Sequence, residues 1–144
     1  MPISREEVLA LVNAFHETTM IKKGDAAAQA KFFLYPDSRI YILHGEDISL
    51  QQNYEIHQRL TNEMHVTLEG WEITPLYSQP ERVRAVGAVY WQGQLVDAAK
   101  DALIKVVVGE DWVMQRNPAG ELKIALLINA YHHFLPDSAP IELK

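Results

Sequence analysis

The chain has 144 residues, 48% of them hydrophobic and 22% charged. That is the length and balance of one globular domain, able to bury about two-thirds of its surface without disulfides or metals. Lys and Arg number 13 against 19 Asp and Glu, a net charge of −6, which argues against nucleic acid as a partner, and the absence of cysteine excludes disulfides, thiolate zinc sites, iron–sulfur clusters and Cys nucleophiles and fits a cytoplasmic location.

The opening MPISREEVLALV carries charges where a signal peptide needs an apolar run, and apolar runs such as ALL and VVV are far too short to span a bilayer. Neither a targeting segment nor a membrane partner is expected. Ser4 and Glu7 form a capping box, and Val8, Leu11, Val12, Phe15 and Thr19 follow at helical spacing. Gly24 stops this helix and Asp25 caps a second, AAAQAKFFL, which reaches about Leu34 before Pro36 ends it. RIYIL (39–43) reads as a strand, with His44 at the turn before Gly45. Asp47 or Ser49 caps a third helix to about Leu60, with Leu50, Tyr54, His57 and Leu60 on one face.

From His65 the chain is mostly strand: HVTLEGWEITPLY, RVRAVGAVYWQG, ALIKVVVGEDWVMQR and ELKIALLINAYHHFL, the last two joined by a tight Asn-Pro-Ala-Gly turn. The Pro-rich tail PDSAPIELK is expected to fray. Helices followed by long strands predict an α+β domain spanning residues 1–144. The central glycines, Gly70, Gly87 and Gly109, predict a strongly bent antiparallel sheet whose concave side holds the three N-terminal helices and leaves a pocket.

KKGDAAAQAKFFLYPDSRIYI resembles the helix, Gly-Asp, helix, Pro-Asp, strand opening of the SnoaL-like branch of the nuclear transport factor 2 (NTF2-like) superfamily, and DWVMQRNPAGELKIALLINAYHHF is similar to that family's last two strands. The likeness covers roughly residues 4–135. It departs at Leu122, where the family's closing strand usually starts with Trp. The resemblance implies a cone-shaped, half-open α+β barrel with a deep pocket, and dimers as a common assembly. It does not choose among the isomerases, dehydratases, cyclases, transport factors and members without known activity that share the fold.

Strand alternation nominates the polar groups. A four-residue turn pairing Arg116 with Glu121 places Asp111 on the side of the stripe Leu122, Ile124, Leu126 and Ile128, facing the cone; a one-residue change of register puts Trp112 there and Asp111 outside. An inward carboxylate on an apolar wall suits a general acid or base. His132 and His133 point to opposite faces, His132 inward by the same stripe. His57 either looks into the pocket or packs and hydrogen-bonds. Tyr41 joins Asp111 and His132 as a candidate catalytic group, and His57, Tyr54, Trp91 and Ile128 are candidate ligand contacts. The histidines lack HxH or HxxxH spacing, and no G-x-S-x-G, G-x-G-x-x-G or P-loop occurs, so no metal, Ser nucleophile or nucleotide cofactor is indicated.

Two functions follow as expectations. One is a cofactor-free isomerase, dehydratase or cyclase acting on a small apolar organic molecule, with Asp111 as base. The other is a non-enzymatic homodimeric binding or scaffold module. Ala125, Leu127 and Tyr131, expected on the outer face of the last strand, are too apolar for open solvent and predict a homodimer through that face.

Overall fold

The computed structural model describes residues 2–43, 45–99 and 102–140. Helix α1 (Arg5–His16) starts at the Ser4–Glu7 capping box and runs into one π-helical turn, Glu17–Ile21. Asp25 caps α2 (Ala26–Ala30), accepting from the Ala28 N–H at 2.9 Å. This helix stops short of Leu34 because its following residues leave it for the sheet: Phe32 O accepts from Ile124 N and Leu34 N donates to Ile124 O, each at 2.8 Å.

Strands β1 (Arg39–Ile42) and β2 (Ile48–Ser49) precede α3 (Leu50–Gln58), which Ser49 caps in a box with Gln52. Leu60, expected on that helix, instead opens β3 (Leu60–Thr67). Then come β4 (Glu72–Pro75), β5 (Arg82–Leu95), β6 (Ile104–Arg116) and β7 (Leu122–Phe134). The order β2-β1-β7-β6-β5-β3, with β4 beside the first half of β5, makes one curled sheet around the helices. One pair departs from the antiparallel expectation: β1 lies parallel to β7, Ile40 beside Leu127 and Tyr41 beside Ile128. Parallel pairing is possible because α3 and strands β3 to β6 separate the two in sequence.

On β6 the even positions from Ile104 to Met114 face inward without interruption, and on β5 the odd positions do. Val8, Val12 and Phe15 of α1 close the core against Trp112, Met114 and Ile124. Phe15 sits edge-on to Phe33 and Trp112, with ring centroids 5.5 and 5.8 Å apart. The β6–β7 loop runs through Asn117–Glu121, so Arg116 pairs with Leu122 rather than Glu121. That one extra residue turns Asp111 to the outer face. Bulges at Ala125 and Ala130 then change the alternation of β7 twice. Leu126 and Ile128 therefore face out, while Leu127, Asn129, His132 and Phe134 face in. Leu127, expected on the outer face, is a core residue.

The beginning of the Pro-rich tail is held. Ser138 Oγ accepts from Lys105 N at 2.7 Å, and Ala139 N donates to Leu103 O at 2.9 Å. His44 lies outside the described residues.

Gly87 faces inward under the buried ring of Trp71; a Cβ there would sit 2.1 Å from that ring. Gly87→Ala is expected to destabilise the fold by about 2 kcal/mol through overpacking, read as a lower urea midpoint with an unchanged denaturant slope.

Candidate functional site

The concave side of the sheet is not filled. A cavity of about 240 Å³ remains between the helices and β1, β5, β6 and β7. An apolar cavity of roughly 150 Å³ accommodates benzene, so this one admits a substituted single ring. Ile40, Leu127, Val89, Val106 and Val108 supply apolar wall. Polar groups interrupt the wall at two places.

At the first, Glu110 is the one charged residue in the inward row of β6. Its carboxylate oxygen lies 2.8 Å from His16 Nε2, and the side chains are only 4% and 5% exposed. A carboxylate can only accept, so the ring donates Nε2–H. His16 reaches this point because it sits eight residues after Val8 on the buried face of α1. The His65 ring from β3 packs against His16 with centroids 5.2 Å apart. Burial lowers the His65 pKa below the usual imidazole value, and the neighbouring His16 lowers it further. On β7, Asn129 lies opposite Glu110 and His132 one inward position along. Burial against the wall lowers the His132 pKa, partly opposed by the charge of Glu110.

At the second place, the Glu63 side chain is fully enclosed and takes three donors. His57 Nδ1 lies 2.7 Å from it and Trp91 Nε1 2.9 Å; the Lys23 ammonium meets the other oxygen. Lys23, in the left-handed region at φ 53°, also bonds the carbonyls of His57 and Leu60 at 3.0 and 3.1 Å. The buried charge is thus paired and hydrogen-bonded.

Of the residues nominated from sequence, His57, Trp91 and His132 line the cavity. Asp111 does not: it forms a two-pronged ion pair with Arg84 on the outer face, at 2.9 and 2.6 Å. Tyr41 is 44% exposed, and its neighbours Ile40 and Ile42 take the inward positions. Ile128 faces out opposite Asp111, and half-buried Tyr54 lies off the cavity wall. The residues missed are Glu110, His16, Glu63 and Asn53. The unbroken row Ile104, Val106, Val108, Glu110, Trp112, Met114 was a usable signal for Glu110, because β6 carries no bulge of its own. Among the described residues, no three His, Cys, Asp or Glu side chains are placed to share a metal ion, and no helix is long and apolar enough to cross a membrane.

No protein-family model matches the sequence, and no curated protein does. Solved structures do match. The crystal structure of LinA superposes with a TM-score of 0.68 at 13% identity, covering 96% of this chain and 94% of its own. An NTF2-like protein from Cytophaga hutchinsonii gives 0.62 at 10% identity, covering 92% and 100%. The fold is NTF2-like. A third match, the hexachlorocyclohexane dehydrochlorinase LinA-type3 from Novosphingobium barchaimii, gives 0.61 at 14% identity, covering 97% and 100%. At these identities the likeness establishes the architecture, and the chemistry of this chain rests on its own side chains.

The lowered His65 pKa carries a pH dependence. Below the unfolded value of about 6.5 the unfolded chain takes up a proton that the folded one resists, so stability falls with pH by at most about 1.4 kcal/mol per pH unit from this group. It stops falling on this account below the folded pKa. His65→Asn is expected to flatten the loss between pH 7 and 5, measured by urea unfolding at a series of pH values.

Proposed function

We propose that the protein is a small-molecule pocket enzyme of the SnoaL-like type, performing cofactor-independent acid/base chemistry on a mainly apolar molecule of single-ring size. The observation that carries this reading is the Glu110 carboxylate, enclosed in an apolar cavity and held, among the described residues, by one hydrogen bond, from His16. Such a base is poorly solvated and therefore reactive toward a C–H proton. Glu110 takes the proton; the C–H electron pair moves into an adjacent carbonyl to give an enolate, or forms a double bond as a leaving group departs. His16 keeps the carboxylate oriented, and His132 or Asn129 stabilises the charge that develops. Isomerisation, dehydration and cyclisation share this first step. A dehydrochlorinase with the same fold supports an elimination by analogy.

The test is 5-nitrobenzisoxazole, whose ring opening reports proton abstraction by a desolvated base. The protein is expected to accelerate it over buffer, and Glu110→Gln to lower the rate by about two orders of magnitude or more. Asp111→Asn should leave it within about threefold, as befits a surface ion pair. Full activity in Glu110→Gln would remove Glu110 as the base.

A homodimer through the outer sheet face accompanies this reading. Tyr131 lies flat over Gly109, where a Cβ would sit 2.0 Å from its ring, yet is 52% exposed. The row Val66, Tyr90, Val107 crosses the same face, and an apolar sheet face of this kind asks for cover. Sedimentation equilibrium at micromolar concentration is expected to give a dimer that Tyr131→Arg dissociates, since a guanidinium buried there has no counter-charge. A monomer in the unsubstituted protein would reject the interface.

A further inference from the structure

The α3 end of the cavity carries a chain of hydrogen bonds whose directions are forced. Gln29 is fully buried. Its Nε2 donates to Gly24 O at 3.1 Å and Leu50 O at 3.3 Å. Only the NH₂ end of an amide can serve two carbonyls, so the orientation of Gln29 is settled and its Oε1 must accept. The donor is Asn53 Nδ2 at 2.9 Å, which turns the Asn53 carbonyl Oδ1 the other way. One helical turn later the same thing happens to His57. Glu63, already taking donors from Lys23 and Trp91, can only accept from His57 Nδ1. In the neutral ring this makes Nε2 the lone-pair nitrogen. Asn53 and His57, at i and i+4 on one helix face, both line the cavity. Neither Asn53 Oδ1 nor His57 Nε2 has a bond to any described residue.

We propose that this pair of acceptors is a recognition site for a hydrogen-bond donor on the ligand, a hydroxyl or an N–H, on the α3 wall of the cavity. The inference rests on the cavity being a ligand site and deepens that reading: the ligand is an apolar ring with one donor, not a pure hydrocarbon. Both acceptors are fixed by protein partners before the ligand arrives, so little ordering is lost on binding. A ligand without the donor leaves two buried acceptors unmet, and a buried polar group without a partner is costly.

The experiment compares p-cresol with toluene, two single rings that differ by one hydroxyl, binding to protein labelled with ¹⁵N at histidine and followed by NMR. The free protein should show a protonated Nδ1 and a bare Nε2 at His57; the opposite tautomer overturns the proposal without any substitution being made. p-Cresol should bind about tenfold tighter than toluene and move the His57 Nε2 resonance. With no acceptor waiting, desolvation of the hydroxyl would make toluene the tighter ligand. His57→Phe should abolish the preference and Glu110→Gln should keep it. Equal binding of the two rings, or a preference lost in Glu110→Gln and kept in His57→Phe, overturns the acceptor pair and leaves the cavity as a ligand site. Failure of both rings to bind overturns the two readings together.

Discussion

Two residues of β7, Ala125 and Ala130, have no partner on β6, and the cavity depends on how the sheet absorbs them. Each bulge bends the strand and exchanges its faces. The first brings Leu127 and Asn129 inward; the second restores the original parity for His132 and Phe134. Because β6 keeps its alternation throughout, Glu110 stays in the inward row while its neighbours across the ladder change. The same bends curl the sheet away from close packing against the helices, so a volume is left where a flat sheet would have been filled.

The two buried carboxylates on this frame show how burial divides labour. Glu63 receives Lys23, His57 and Trp91, and with its charge and lone pairs met it acts on the cavity by holding His57 and Trp91 in its wall. Among the described residues Glu110 receives His16 alone, and it borders open volume. Desolvation that would be a liability in a structural residue becomes reactivity in one with spare lone pairs facing a cavity.

Much of this organisation was legible in the chain. Ser4 with Glu7, Asp25, and Ser49 as one of two candidates with Asp47, mark helix starts because capping is local chemistry, settled within four residues. The antiparallel pairing of the last two strands follows from the turn signal between them, whereas HVTLEGWEITPLY, which reads as one bent strand, is divided between β3 and β4. Quantities set by long-range packing escaped. The Asn117–Glu121 loop holds one residue more than the Asn-Pro-Ala-Gly motif suggests, and with that residue counted Glu110, not Asp111, takes the inward position. The bulges carry no glycine or proline to announce them. His132 was placed inward by an alternation that fails and recovers between Ile124 and His132. The pairing of Phe33 and β1 with β7 depends on segments about ninety residues apart, and no local pattern encodes it.

The π-helical turn after α1 has a bearing on how this chain tolerates insertions and deletions. The Lys22 N–H reaches back five residues to Glu17 O at 3.0 Å, so the turn accommodates one residue more than an α-helix would. Loss of the one extra residue there would let α1 continue as a regular α-helix with the segment from Lys22 onward in nearly its present phase. His16 would still face Glu110 and Lys23 would still reach Glu63. The stretch 17–21 is therefore a place where the helix absorbs a change of one residue in length while the supports of both polar groups stay where they are.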